Sequence, residues 1–146
     1  MGFGTSGCLR PVMVEGKAML PTLKEGDRWF VTSSTDDLKR GDIILFRYPK
    51  DETKYYRKRI IALPSEKIEI REGAVLINGQ PIPEDYVDPS FNQGKLWFPQ
   101  RAIPENKFFV MGDNRDNSSD SRYWGLVDRS LIEGKFYMRY IAGNEK

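Results

Sequence analysis

The chain has no histidine and a single cysteine, Cys8, in 146 residues. The first absence removes Ser-His-Asp and Cys-His catalysis together with every histidine-based metal site. The second removes internal disulfides, and a lone thiol is too few to hold a metal. No stretch approaches the roughly 20 apolar residues that span a bilayer. Charge of one sign is also lacking: 23 basic against 21 acidic residues leave +2, with both signs interleaved. That pattern describes a solvated surface and demands no nucleic acid. What remains is 39% hydrophobic and 30% charged, enough for a globular domain with its own core.

Short β-prone runs separated by Gly, Pro, Asn and Asp fill most of the chain. Strands are expected at Val12–Val14, Arg28–Thr32, Asp42–Arg47 and Lys54–Ala62, the last stopping before Pro64. Lys67–Arg71 and Val75–Ile77 flank Glu72-Gly73-Ala74 as a hairpin, and Asn78-Gly79 marks the next turn. From Pro81 to Pro104 the composition shifts to Pro, Asp, Asn and Gln, which predicts a loop-rich insertion. Lys107–Met111 reads as a strand ending at Gly112-Asp113-Asn114. Ser130–Glu133 fits one helical turn, and Gly134–Ile141 a closing strand. The expected organisation is a flexible tail over residues 1–11, a β core from 12–70 and 107–146, and an inserted cap subdomain over 71–106. The fold class is mostly β, with antiparallel sheets paired at long sequence separation.

Four segments carry chemistry. They are Gly16-Lys17-Ala18-Met19-Leu20-Pro21-Thr22-Leu23; Arg40-Gly41-Asp42-Ile43-Ile44-Leu45-Phe46; Tyr56-Arg57-Lys58-Arg59-Ile60-Ile61-Ala62-Leu63-Pro64; and the run from Gly112 to Gly125, GDNRDNSSDSRYWG. In this order they resemble the type I signal peptidases, Ser-Lys dyad proteases of the S26 family, over most of the chain after Val12. The resemblance implies a β scaffold like that of signal peptidases and of the SOS-repressor (LexA-like) autoproteases, with a small β-rich insertion. The autoproteases themselves are disfavoured, because no basic recognition helix is present.

The resemblance also implies roles. Ala18 stands at the nucleophile position, where the family has serine, and its backbone N–H would donate to an oxyanion. Lys58 matches the general base. A lysine serves as a base only when neutral, and its free pKa near 10.4 forbids that unless burial destabilises the ammonium. Alternation along a strand sets Lys58 opposite Arg57 and Arg59, beside Ile60. By itself the Arg57-Lys58-Arg59 triplet reads as well as a solvated cationic strand. Ser118 matches the serine that orients the lysine, though Asn117-Ser118-Ser119 could equally be a turn. Asp120 and Arg122 match a supporting carboxylate–guanidinium pair that shares one face of an extended segment. Asp113 and Asn114 are assigned to the turn, with no catalytic role. Gly16, Met19 and Pro21 would shape the peptide-binding cleft, and glycine at 16 excludes a side-chain hydroxyl there.

Several letters depart from the pattern. Ala18 cannot attack a carbonyl, and Thr22 and Ser119 belong to turns rather than standing in as nucleophiles. Ala62 replaces a glycine, Ser65 replaces a glycine suited to positive φ, and Glu66 replaces an aspartate. Together they suggest drift away from catalysis, and two origins stay open: an active peptidase whose serine at position 18 was replaced, or a natural pseudoenzyme that holds peptides as a chaperone or assembly factor. The family reading expects signal peptides or other extended segments of exported proteins as partners, the membrane surface as location, and no metal or organic cofactor. It places the domain at the outer face of the cytoplasmic membrane, with the native anchor outside this chain. Thr5-Ser6-Gly7-Cys8 resembles the end of a lipoprotein signal, so Cys8 is an alternative lipid anchor.

Overall fold

The computed structural model describes residues 7–143. In chain order its strands are β1 (Leu9–Met13), β2 (Arg28–Thr32), β3 (Ile43–Tyr48), β4 (Asp51–Ala62), β5 (Lys67–Arg71), β6 (Ala74–Ile77), β7 (Gln80–Pro81), β8 (Phe98–Ala102), β9 (Lys107–Met111), β10 (Val127–Asp128) and β11 (Ile132–Ile141), with one helical turn, α1 (Ser121–Trp124), between β9 and β10. Seven strands form one sheet in the order β1-β2-β11-β3-β4-β9-β10, and four form a second in the order β7-β6-β5-β8. All pairings are antiparallel. The mostly β, antiparallel architecture is thus the one expected.

Apolar alternation decides which face each strand buries. Along β4, Ile60 packs with Ile44, Phe46, Phe108, Val110 and Val127 on one side of the large sheet. On the other side, Ile43 and Leu45 join Val14, Met19, Leu23, Val31 and Phe136. The 14–27 loop thereby caps that face with its own apolar residues. A third cluster, including Ile61, Ile68, Ile70, Val75, Ile77 and Phe109, sits where the two sheets meet. β4 contributes Ile60 to the first of these clusters and Ile61 and Ala62 to the junction, and so links the two sheets.

Three expectations require correction. Residues 9–11, placed in a flexible tail, begin β1 and pair with β2 through Leu9↔Thr32 and Pro11↔Phe30; residues 1–6 lie outside the described residues. The expected core boundary at residue 70 falls inside β5, which pairs with β6 and β8 in the smaller sheet. Within the loop-rich stretch, Phe98–Ala102 forms β8 on the edge of that sheet. Pro99 is tolerated there because an edge strand can leave one amide position unpaired.

The turn after β4 carries visible strain. Ser65 adopts φ of 73°, a left-handed conformation that suits glycine. Its amide is nonetheless used, donating to the Ile103 carbonyl at 2.8 Å. Glu66 closes the same turn by accepting from the Leu63 amide at 2.8 Å and pairing with Arg40. Relief of the left-handed penalty exceeds the extra entropy of an unfolded glycine, so Ser65→Gly is expected to stabilise the fold by about 1 kcal/mol. Chemical denaturation of the two proteins checks this, and an unchanged or lowered midpoint refutes it.

Candidate functional site

A cleft of about 530 Å³ opens between two walls. One wall is the run from Val14 to Met19, the other is Tyr55–Lys58 of β4, and Asn117 and Ser119 border the rim. The sequence-predicted residues Gly16, Ala18, Met19 and Lys58 all line it. Pro21 does not: it is exposed, on a turn whose Leu20–Pro21 peptide is cis, outside the cleft-lining set. Met19 does double duty, being 3% exposed within the core as well as bordering the cleft.

The first wall is held from behind by the β9–α1 loop. The Asn114 amide donates to the Ala18 carbonyl at 2.9 Å, and the Asn114 side chain donates to the Lys17 carbonyl at 3.1 Å. The carboxylate of Asp113, fully buried, accepts two bonds from Arg59, at 2.9 and 2.6 Å, and one from the Thr22 hydroxyl at 2.6 Å. Arg59 also donates to the Gly41 carbonyl at 2.7 Å and stacks on the Tyr86 ring. Asp113 and Asn114 therefore tie the turn at Ala18 to strand β4, a larger part than the local turn that sequence reasoning gave them. Their partners lie 54 and more residues away, which is why no local signal could reveal it.

Ala18 is half-buried, and its N–H meets no acceptor among the described residues. Gly112 has no room for a side chain: an added Cβ would fall 2.2 Å from Ser118 Oγ and 2.6 Å from the Ala18 carbonyl oxygen. Glycine at 112 is what lets the Ser118 segment and the Ala18 turn close on each other.

Lys58 is 5% exposed. It pairs in register with Ile44 and shares the face of Ile60 and Tyr56, so the solvated-strand alternative does not apply. No hydrogen bond or ion pair reaches its Nζ among the described residues; it lies 5.4 Å from the centroid of the Tyr56 ring. Burial destabilises the ammonium and lowers its pKa to about 8, with the Asp120 charge opposing that shift and Arg57 and Arg122 assisting it.

Ser118 donates to Asp120 Oδ2 at 2.7 Å and accepts from the Gly112 amide at 3.1 Å. It is not bonded to Lys58; one lone pair of its oxygen stays unused. Asp120 and Arg122 do pair, at 2.8 and 2.9 Å, but not on an extended segment as expected. Asp120 is the N-cap of α1, its carboxylate also accepting from the Arg122 amide, so a helical turn brings the two together. Two other hydroxyls of the motifs have partners: Thr22 donates to Asp113, and Ser119 accepts from the Trp124 indole at 3.0 Å.

Two outcomes follow. Between about pH 8 and 10.5 the unfolded chain holds a Lys58 proton that the folded chain has released, so stability rises with pH across that window. Denaturation curves on the native chain and on Lys58→Met should show this increment only in the former, and equal pH slopes would contradict it. Separately, Asp113→Ala leaves Arg59 buried without its carboxylate and is expected to cost about 3–5 kcal/mol, measured by the same method.

Comparison with known proteins places this arrangement in a family. The model of "Signal peptidase, peptidase S26" matches residues 2–141. A signal peptidase I of Leptolyngbya laminosa is 38% identical over 90% of this chain and 68% of its own length. Signal peptidase I T of Bacillus subtilis (strain 168) is 34% identical over 92% of this chain and 75% of its own. Among solved structures, a signal peptidase I from Enterococcus faecalis V583 superposes with a TM-score of 0.58 at 32% identity, covering 70% of this chain and 98% of that one. A nearly full-length family match, relatives above 30% identity and a shared β fold agree, and the chain belongs to the signal peptidase family, peptidase S26.

Proposed function

We propose that the cleft is the active-site cleft of a signal peptidase I-like domain, which receives an extended peptide from an exported protein. Ala18 occupies the nucleophile position, Lys58 the general-base position, and Ser118, with Asp120 and Arg122 behind it, the lysine-orienting position. The observation that carries this reading is the meeting of Ala18 and a desolvated Lys58 in one cleft. A lysine with a pKa lowered to about 8 is partly neutral near physiological pH and can take a proton from a hydroxyl. The uncommitted Ala18 amide is suited to donate to an oxyanion, and the unused Ser118 lone pair can accept from Lys58.

The chain as written lacks the hydroxyl. The methyl of Ala18 has nothing to give up, and the Thr22, Ser118 and Ser119 hydroxyls are bound to other groups. That favours a second reading for this sequence: a pseudoenzyme whose cleft binds extended peptides by strand addition without cutting them, as a chaperone or assembly factor.

A place at the membrane surface agrees with one face of the large sheet. Leu9, Met13, Met138, Tyr140 and Ile141 are exposed there, Tyr140 stacks on Phe30, and Arg10, Arg28 and Arg139 are exposed on the same strands. Apolar side chains with flanking arginines suit an interface between hydrocarbon and anionic headgroups. Among the described residues no helix is long and apolar enough to cross a membrane. Cys8 is exposed at the edge of this face and is the site for the lipid-anchor alternative.

Cleavage of a signal-peptide substrate in detergent separates the readings. Ala18→Ser is expected to cut after the small-residue site, at least about 10⁴-fold faster than the chain as written. Its rate should rise with pH through a midpoint near 8, and adding Lys58→Met should abolish it. Peptide binding by both proteins with no cleavage by either would leave the binding module as the function. Absence of binding would overturn both.

A further inference from the structure

Arginines in this structure are matched to carboxylates wherever water is scarce. Arg59 is paired with Asp113, Arg115 with Glu84 and Arg122 with Asp120. Half-exposed Arg40 has Glu66. Arg57 is different. It is half-buried on the cleft wall next to Lys58, and no carboxylate lies within ion-pair distance of it among the described residues. Its Nη1 donates to the Glu15 carbonyl at 2.7 Å, across the cleft from β4, and its Nε is buried with no partner. The Glu15 carboxylate exerts only a longer-range attraction, while loss of water lowers the guanidinium's pKa. An unmatched, partly desolvated guanidinium is costly, and its planar fork is shaped for a carboxylate. Lys58 beside it adds positive potential when protonated, so the cleft favours an incoming negative charge.

We infer that Arg57 is a specificity-determining residue, and that the cleft selects an extended peptide presenting a carboxylate at the point where it passes Arg57. This rests on the peptide-binding reading of the cleft. The carboxylate has two chemical sources: an Asp or Glu side chain within the peptide, or the free C-terminus of a peptide that ends in the cleft. In either case it supplies the counter-charge that Arg57 lacks, and it competes with the Glu15 carbonyl for the guanidinium. Burial between the cleft walls makes the pairing stronger than it would be in open water.

The chain as written suits the measurement, since a bound peptide should not be consumed. Fluorescence anisotropy is run with short C-terminally amidated peptides in which one Glu is moved along an Ala-x-Ala region, each matched by a Gln peptide. A further pair differs only in carrying a free acid or an amide at the C-terminus. At one register, or in the free-acid form, the carboxylate peptide is expected to bind at least about 10-fold tighter than its neutral match. Which series shows the effect identifies the source. Arg57→Gln should erase the preference, and Arg57→Glu should turn it toward a Lys-bearing peptide. Equal affinities in every pair with the native chain would overturn the inference, as would a preference that survives Arg57→Gln. If peptides bind without preference, only the role of Arg57 falls. If none binds, the peptide-binding reading falls with it.

Discussion

The buried pair between Arg59 and Asp113 is the constraint on which the cleft depends. One partner sits on β4, next to Lys58 in sequence; the other sits in the loop that grips the Ala18 turn. Thr22 closes the triangle by donating to the same carboxylate. Two segments about 40 residues apart are thus fixed to a third, and the separation of the cleft walls follows. A charge pair this deep adds little net stability over a well-packed apolar substitute. What it supplies is position, because a guanidinium fork and a carboxylate tolerate few geometries.

Placement on one side of β4 or the other then decides the electrostatics. Arg59 faces the Asp113 carboxylate in its own ion pair. Lys58, one residue earlier, falls on the face of Ile44 and Ile60, where the ammonium is starved of water. Adjacent cations on one strand thereby meet opposite surroundings, one a carboxylate partner and one an apolar face. Asp120 opposes loss of the lysine's proton, its charge pulling the pKa back up. The same carboxylate caps α1, accepts from Ser118 and holds Arg122, so the tuning of Lys58 is coupled to the geometry of its rim.

Local patterns revealed much of this. The expected Arg28–Thr32, Lys67–Arg71 and Lys107–Met111 strands have the observed ends, because each is a short β-prone run, alternating in Lys67–Arg71 and continuously apolar over Phe108–Met111. The left-handed conformation of Ser65 was likewise readable from the glycine expected there. What escaped depends on distant partners. Phe98–Ala102 contains Pro99 and no clear alternation, and it becomes a strand only because β5 offers an open edge. α1 is four residues long, too short for any helical periodicity, and is specified by the Asp120 cap. Gly16, Ala18, Met19 and Lys58 were legible as cleft residues through the motifs. Pro21 belonged to the same motif but faces elsewhere, and the structural weight of Asp113 and Asn114 could not be seen without the fold.

The strand order has a consequence for how the molecule assembles. β11 comes last in the chain yet lies inside the large sheet, between β2 and β3. Before residues 132–141 are available, β1-β2 and β3-β4-β9-β10 are separate ribbons with facing unpaired edges, linked where Thr22 and Ala18 meet the β9–α1 loop. Closing that gap joins segments about 100 residues apart, a slow step in which the loop entropy is lost before the contacts form. The exposed edges meanwhile invite pairing with other chains. Completion of the large sheet is therefore a late event, and during folding the molecule is most vulnerable at the seam its final strand fills.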